Sequence, residues 1–335
     1  MASDRSNQFR PLPMTVGGHR QTLLGYWHRR FLHWTLPTRD MIVDAEVRLL
    51  LRASLQSDAS SKPTLLLVHG LGGSDRGTYA IATGLLAWSM GWNVVRMNMR
   101  GAGDSASLCP RLYNAGLDTD LVAALVATGE ISPHVGVIGF SLGGNLALLA
   151  LSRRTKSIPA SLLGVVAVSP PADLAACAHE LEQPSNRVYE TYIMRSMRKS
   201  YRRRQRLLPE LYERGRERGA RTIRQFDDAI TAPYGGFRNA DDYYARCSCG
   251  PHLQHIRHPV LMLVAQDDPL IPCESVVHWP LPASGIVRRE VFNTGGHVGF
   301  VAPTVAPGHF WAAERGMRFL ADLERRLASS TNSVA

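Results

Sequence analysis

The chain alternates short, continuous apolar runs with segments of helical pattern, and this alternation limits the possible folds more than any other feature. Six such runs occur: Thr64–Val68, Asn93–Met97, Val135–Phe140, Gly164–Ser169, Val260–Ala265 and Val287–Phe292. Short apolar runs bounded by glycine or proline are typical of strands buried on both faces of a parallel sheet. Residues 78–90, 117–128 and 142–153 predict the helices that connect such strands. We therefore predict an α/β fold with a mostly parallel central sheet and helices on both faces.

Two segments depart from this alternation and suggest how the chain is divided. Residues 1–40 are aromatic and basic, with Pro11, Pro13 and Pro37 breaking any long element, so we expect an arm packed on the core. Residues 172–251 are charged, helical in pattern and poor in strand signals, as expected of a lid inserted into the sheet. The predicted divisions are an N-terminal arm 1–40, a first core part 41–171, a helical lid insertion 172–251 and a second core part 252–335.

The composition excludes several classes of protein. With 45% apolar residues the chain can bury a sizeable core, so disorder is not expected. Its apolar runs are far shorter than the roughly 18 to 20 residues that span a bilayer. The first residues lack a signal-peptide pattern, and five irregularly spaced cysteines argue against a disulfide framework, so we expect a cytoplasmic protein. Cys247 and Cys249, with His252 nearby, lack a second ligand pair, and we predict no metal and no cofactor.

The strongest motif is the G-x-S-x-G sequence Gly139–Gly143, which has Ser141 at its centre. It follows the predicted strand Val135–Phe140 and opens the predicted helix Leu142–Arg153, and a nucleophilic serine requires this strand-to-helix context. The turn lifts the hydroxyl clear of the sheet, while the start of the helix directs free N–H groups toward it. We predict that Ser141 is a nucleophile and not an incidental serine in a glycine-rich turn.

Two backbone N–H groups are predicted to bind an oxyanion beside this serine. One is the N–H of Leu142, directly after the nucleophile. The other is the N–H of Leu71, within His69-Gly70-Leu71-Gly72-Gly73, because this loop follows the strand Thr64–Val68 and its glycines allow close approach to a substrate oxygen. We interpret His69 as a residue that shapes this loop, since the chain offers a better base near its C-terminal end.

The predicted base is His297, in the glycine-rich segment Gly295–Gly299. This segment follows the last predicted strand, so the histidine ring can swing over the C-terminal edge of the sheet and remove the proton of Ser141. In folds of this kind the serine, the acid and the histidine follow one another in chain order.

The acid that orients the histidine is expected after Val260–Ala265, where Asp267 and Asp268 compete. The usual turn places the acid three residues before a branched apolar residue and a proline. Asp268 stands at that distance from Ile271-Pro272, whereas Asp267 is one residue early. We therefore favour Asp268 as the partner of the histidine, with Asp267 as a surface turn residue or a cap.

Segments from nearly the whole chain resemble the YheT-like branch of the α/β-hydrolases, the AB hydrolase-4 family. In chain order they are His19–Leu23, His69–Gly73 with Tyr79, Asn98–Gly101, Gly139–Asn145, Phe226–Asp228, Thr231–Phe237, Asp267–Pro269 and Gly295–Phe300. The resemblance implies a serine esterase-like α/β-hydrolase fold with a helical lid, in a family that includes acylglycerol and phospholipid hydrolases. It carries the nucleophile onto Ser141, the acid onto Asp268 and the base onto His297.

These features predict a serine hydrolase that cleaves small-molecule carboxylic esters, including lipid-like acyl esters, through an acyl-enzyme intermediate. Two alternatives stay open: an acyltransferase that uses the same triad, and a non-catalytic ligand-binding protein on the same scaffold.

The net charge of +10 is concentrated in arginines between Arg195 and Arg224. We interpret this region mainly as a solvated helical face, with peripheral contact to an anionic membrane surface as a further role of the arginine-rich lid. A second hypothesis is that Arg202, Arg203 and Arg204 steer carboxylate or phosphate groups toward the site. Net charge alone gives no reason to expect specific nucleic-acid binding.

Overall fold

The computed structural model describes residues 9–332, so residues 1–8 of the predicted arm and 333–335 of the predicted second core part lie outside the described residues. The strands are β1 Arg39–Asp44, β2 Arg48–Ser54, β3 Thr64–Val68, β4 Asn93–Asn98, β5 Val135–Phe140, β6 Leu162–Val168, β7 Val260–Ala265 and β8 Val287–Phe292. The α-helices are α1 Gly18–Arg29, α2 Thr78–Ser89, α3 Asp118–Gly129, α4 Leu142–Arg153, α5 Leu174–Leu181, α6 Arg187–Leu207, α7 Ile223–Phe226, α8 Ala232–Gly235, α9 Ala240–Cys247, α10 Glu274–Val277 and α11 Trp311–Asn332. A π-helical turn, Asp227–Thr231, joins α7 to α8.

The eight strands form one sheet in the order β1-β2-β4-β3-β5-β6-β7-β8. The β1–β2 and β2–β4 pairs are antiparallel, and the five remaining pairs are parallel. The prediction of a mostly parallel sheet is therefore confirmed. The predicted run Gly164–Ser169 is shifted from β6, because the chain pairs already at Leu162 and the backbone of Ser169 turns to a positive φ of 49°.

Apolar clusters cover both faces of the sheet, as predicted. Along β3, Leu65 and Leu67 belong to the cluster that includes residues of α2 and α11, whereas Leu66 and Val68 belong to the cluster that includes residues of α3 and α4. All four side chains are almost completely buried. Alternate residues of a strand point to opposite faces, so a strand covered by helices on both faces has to be apolar throughout.

The predicted N-terminal arm contains a twelve-residue helix, α1, that the sequence analysis did not anticipate. The prolines exclude helix only near themselves, and α1 lies in the stretch between Pro13 and Pro37. Its amphipathic pattern is also reversed relative to an ordinary surface helix. The helix buries Gly18, Gln21, Gly25 and Arg29 and exposes Leu23, Tyr26 and Trp27.

The chain between β6 and β7 is helical, with α5 to α9 in succession. The long helix α6 approaches the loop after β3, where the hydroxyl of Ser196 donates to the carbonyl of Gly72 over 3.4 Å. Its Met194 and Met197 pack into the same cluster as Leu66 and Val68 of the sheet. This arrangement brings α6 over the carboxyl end of the central strands. No helix within residues 9–332 has both the length and the apolar character needed to cross a membrane.

Candidate active site

Ser141 occupies a strained turn between β5 and α4. Its backbone has φ 50° and ψ −120°, a conformation that residues other than glycine rarely adopt. Neighbouring backbone leaves no room for side chains at the flanking glycines. A Cβ atom on Gly139 would lie 2.5 Å from the carbonyl oxygen of Gly143, and one on Gly143 would overlap the carbonyl oxygen of Val68. Gly139 is therefore required by close packing against the start of α4, and Gly143 by close packing against the end of β3.

The three side chains predicted to form a catalytic triad meet in the structure. Nε2 of His297 lies 3.0 Å from Oγ of Ser141, and Nδ1 of His297 lies 3.0 Å from Oδ2 of Asp268. If Nδ1 carries the proton that Asp268 accepts, Nε2 is free to take the hydroxyl proton of the serine. These residues are separated by up to 156 positions in the sequence, so only the fold brings them together.

Asp268 is held in place by the turn that follows β7. Its Oδ1 atom accepts hydrogen bonds from the backbone N–H groups of Leu270 and Ile271, at 2.9 and 3.0 Å. The second oxygen is thereby directed at His297, and the residue is only 8% exposed. A carboxylate fixed in this way can hold one orientation of the imidazole ring and stabilise its protonated form.

Asp267 does more than the surface turn or cap that the sequence suggested. Its carboxylate accepts a hydrogen bond from the hydroxyl of Thr294 over 2.6 Å, and from the N–H groups of Gly295 and Gly296 at 2.9 and 3.0 Å. The two adjacent aspartates thus have different partners. Asp268 contacts the ring of His297, and Asp267 binds the backbone of the loop just before His297.

The loop that carries Leu71, one of the two predicted oxyanion donors, lies beside Ser141. A Cβ atom on Gly70 would stand 3.1 Å from Cβ of Ser141, so the loop after β3 packs directly against the serine. The N–H groups of Gly70 and Gly72 bind the hydroxyls of Tyr79 and Tyr113. Within residues 9–332, neither the Leu71 N–H nor the Leu142 N–H has an acceptor. Both donors therefore remain available to a substrate oxygen.

His69 shapes this loop, in agreement with our interpretation of the sequence. Nε2 of its ring accepts the N–H of Met99 over 3.1 Å, so Nδ1 carries the proton and donates it to the carbonyl of Gly70 over 2.8 Å. Burial of the ring lowers the pKa of His69 to about 4. A neutral imidazole with both nitrogens bound to backbone is not placed to act as a base.

A cavity of about 700 Å³ opens beside Ser141 and His297. One wall is contributed by α1, including Leu23 and Tyr26, and another by apolar side chains from the helices between β6 and β7. The latter are Leu174, Ala178, Leu181, Val188, Ile193, Met197, Ile223 and Phe226. The sequence predicted a helical insertion over residues 172–251, but nothing in it indicated that α1 lines the cavity.

The Arg202–Arg204 run does not form the free cationic patch that we had considered for steering anionic groups. Arg202 pairs with Glu217 over 2.8 Å, and Arg203 donates to the carbonyl of Gly103 over 2.7 Å. Arg204 is only 1% exposed and donates to the carbonyls of Ala106 and Cys109. Arg203 and Arg204 thus tie α6 to the loop after β4, where carbonyls require donors, while Arg202 ties α6 to Glu217 between β6 and β7.

Asp227 is a buried carboxyl group that lines the cavity, and sequence reasoning assigned it no role. It begins the π-helical turn, is 6% exposed, and accepts the hydroxyl of Tyr244 over 2.8 Å. Burial raises the pKa of Asp227 to about 6. The segment Phe226–Asp228 is among those that resemble the AB hydrolase-4 family. This resemblance was the one feature of the sequence that could have pointed to Asp227.

Comparison with protein families matches residues 63–302 to a model described as alpha/beta hydrolase fold. Among curated proteins, "Putative esterase YheT" of Escherichia coli strain K12 is 30% identical over 315 residues, covering 92% of this chain and 92% of that protein. "Phospholipase ABHD3" of Mus musculus is 30% identical over 247 residues, covering 73% of this chain and 60% of that protein. "Monoacylglycerol lipase" of Saccharomyces cerevisiae is 30% identical over 280 residues, covering 79% of this chain. The chain spans 60% of the length of each of the last two relatives.

Solved structures with a similar fold include two esterases. The Pyrococcus furiosus esterase Pf2001 superposes with a TM-score of 0.56 at 19% identity, covering 87% of this chain and 96% of that one. The thermostable carboxylesterase EstE1, cloned from a metagenomic library, superposes with a TM-score of 0.55 at 17% identity, covering 91% and 96%. At these identities the likeness concerns the fold.

Gly143→Ala should disrupt the turn that carries Ser141. The added methyl group would overlap the carbonyl oxygens of Val68 and His69, both backbone atoms that cannot move aside. We expect a loss of about 2 kcal/mol or more in the free energy of unfolding. Gly219→Ala is the control, since nothing lies within 4 Å of its added Cβ, and it should change stability by less than about 0.5 kcal/mol. Urea unfolding measures both, and equal stabilities would contradict the packing argument.

Asp227→Asn should change how stability depends on pH. Burial raises the pKa of Asp227 from 3.8 to about 6, so between these values the folded protein binds more protons than the unfolded chain. Stability contributed by the protonated form is therefore lost as the pH rises through this window. The free energy of unfolding of the variant relative to wild type should increase by about 2 kcal/mol from pH 4 to pH 6.5. A difference that stays constant across that range in urea titrations would show that Asp227 titrates normally.

Proposed function

This chain belongs to the α/β-hydrolase fold family, in its YheT-like branch, and is a carboxylic ester hydrolase; we propose that it works through an acyl-enzyme formed on Ser141. The observation that carries the proposal is the continuous hydrogen-bonded path from Ser141 Oγ through the His297 ring to Asp268, with 3.0 Å at each step. A serine hydroxyl is a weak nucleophile until an adjacent base takes its proton, and this path provides that base.

In the first half of the proposed reaction, Oγ of Ser141 attacks the ester carbonyl carbon while its proton passes to Nε2 of His297. The carbonyl oxygen becomes negatively charged and accepts hydrogen bonds from the N–H groups of Leu71 and Leu142. The C–O bond to the alcohol then breaks, and the imidazolium proton passes to the departing oxygen. The negative charge of Asp268 stabilises the imidazolium while it exists.

In the second half, a water molecule attacks the acyl-enzyme. His297 removes a proton from the water, the same two N–H groups bind the new oxyanion, and the bond between the acyl carbon and Ser141 Oγ breaks. The serine regains its proton from Nε2, and the carboxylic acid leaves. One ester and one water thus give one alcohol and one acid, with the protein unchanged.

We propose that the substrate carries an apolar acyl chain. The cavity beside Ser141 is bounded mainly by apolar side chains, which favour a hydrocarbon over a charged group. The lipase and phospholipase names of two relatives are in keeping with a lipid-like ester. In this proposal residues 172–251 act as a lid, because the helices of that segment supply one wall of the cavity.

We further propose that the lid contacts an anionic membrane surface at the start of α6. Val188 and Tyr192 are 72% and 70% exposed, and both border the cavity. Arg187 and Arg195 are exposed on the same helix. Apolar and aromatic side chains flanked by arginine suit the boundary between lipid headgroups and acyl chains.

Replacing Ser141 with alanine should abolish ester hydrolysis. Loss of the nucleophile is expected to lower kcat by about a thousandfold or more, with the fold intact. Ser152→Ala, at the other end of α4, is the control and should keep wild-type activity. A p-nitrophenyl ester series of increasing chain length measures both, and a fluorophosphonate probe should label the wild type but not Ser141→Ala. A variant that keeps most of its activity would overturn the assignment, and a transfer product formed with added alcohol would indicate acyl transfer.

Membrane contact by α6 should require its exposed side chains. We expect wild-type protein to co-sediment with phosphatidylglycerol vesicles more than with phosphatidylcholine vesicles, and binding should weaken in high salt. Tyr192→Asp and Arg195→Glu should each reduce binding, whereas Arg325→Glu, an equal change of charge on α11, should have a smaller effect. Equal binding by all three variants would show that α6 is not the contact surface.

A further inference from the structure

The helix α1 packs a polar and glycine-rich face against the loop that carries His297. A Cβ atom on Gly18 would overlap the carbonyl of Asp267, and one on Gly25 would stand 3.0 Å from Cα of Gly299. From the loop side, a Cβ atom on Gly296 would overlap the carbonyl of Gly18. Such close approach of two backbones explains why glycines occupy the buried face of α1 and why its apolar side chains lie outward.

One contact reaches the proposed base itself. The backbone N–H of His297 donates to Oγ1 of Thr22 over 2.8 Å, and the hydroxyl of Thr22 in turn donates to the carbonyl of Gly18 over 2.7 Å. Because its own proton is directed into the helix, the threonine oxygen presents a lone pair to the loop. Thr22 therefore sets the position of the His297 backbone from outside the triad.

Two more side chains of α1 hold the loop immediately after the histidine. The buried guanidinium of Arg29 donates to the carbonyls of Val298 and Gly299, at 2.9 and 3.2 Å. The completely buried amide of Gln21 accepts the N–H of Val301 over 2.6 Å and donates to its carbonyl over 3.3 Å. The carbonyl of Val301 also accepts the N–H of Leu12 over 3.1 Å, so this part of the loop is held by the segment before α1 as well.

The loop needs such support because its backbone is strained. Val298 has a φ of 52° and Phe300 a φ of 43°, which is unfavourable for a β-branched and for a bulky side chain. Conformations of this kind persist only where the surrounding structure holds them. Asp267 binds the loop before His297, and α1 binds it at His297 and after it, so the histidine is fixed from both sides.

We propose that α1 is a clamp for the histidine loop and that Thr22 is a positioning residue for the reaction. The inference rests on the proposed function, since it assigns Thr22 a role only through His297. Thr22 keeps the histidine backbone where Nδ1 meets Asp268 and Nε2 meets Ser141. Small displacements of a catalytic group lower the rate of the chemical step more than they lower substrate binding. The segment His19–Leu23 resembles the family but supplies no residue of the triad. In this proposal its role is to hold the loop of His297.

The test compares Thr22→Val with Thr22→Ser. Valine has nearly the same shape as threonine but cannot accept the His297 N–H, whereas serine keeps the oxygen. On a short, soluble p-nitrophenyl ester, Thr22→Val should lower kcat by about tenfold or more while KM changes by less than about threefold. Thr22→Ser should recover most of the lost kcat. Trp27→Gln, on the exposed face of α1 and away from the loop, should retain wild-type kcat.

Two further measurements separate positioning from a loss of folding and from failure of the proposed function. The rate of fluorophosphonate labelling, measured at a temperature where urea unfolding shows each variant to be folded, should fall for Thr22→Val in parallel with kcat. Should that variant not fold, Thr22→Ala takes its place in the same assays. If Thr22→Val or Thr22→Ala is folded and has wild-type kinetics, the proposed role of α1 and Thr22 is wrong, while the proposed triad is unaffected. An unlabelled, inactive wild type would instead contradict the proposed function.

Discussion

The position of one imidazole ring between Asp268 and Ser141 is the constraint on which the rest of this architecture depends. The ring can bridge the two groups only if the turn after β7, the turn after β5 and the loop after β8 all end at the same edge of the sheet. Parallel strand order meets that requirement, because every strand from β3 to β8 then presents its carboxyl end to the same edge. A hydrogen bond of 3.0 Å on each side of His297 leaves little tolerance for error in any of the three segments.

Close backbone approach, more than side-chain packing, gives the site its shape. Gly139 lets β5 approach the start of α4, Gly143 lets the turn lie against the end of β3, and Gly70 lets the loop after β3 lie against Ser141. The result is a strained turn at Ser141, near the N–H groups of Leu71 and Leu142, which have no acceptor within residues 9–332. The histidine loop shows the same close backbone contact, because Gly296 and Gly299 have no side chains and the backbone of α1 packs directly against them. Strain at Ser141, Val298 and Phe300 is thus held by contacts that surround the proposed chemistry.

The two outer elements, α1 and the helices between β6 and β7, connect the triad to the substrate cavity. Both contribute walls, and they touch each other where Nδ1 of His19 lies 3.0 Å from the hydroxyl of Tyr189, with the two rings stacked. Arg203 and Arg204 of α6 bind carbonyls of the loop after β4, so part of a run that resembles a ligand-binding patch in the sequence serves packing in the fold.

The sequence by itself determined that helices cover a central sheet, and it determined the strands β3, β5, β7 and β8. Both can be read from local apolar runs and from the glycines and prolines that bound them. It also nominated Ser141, His297 and Asp268 from motif context, and the fold brings their side chains together. Only the tertiary structure decided what Asp267, Arg204 and α1 do. Their roles depend on partners 27 to 280 residues away, and an exposed apolar stripe on α1 gives the opposite of the usual signal for a docked helix. Hydrogen bonds to distant backbone groups produce no periodic pattern in a sequence. The residues that hold the histidine loop could therefore be identified only from the tertiary structure.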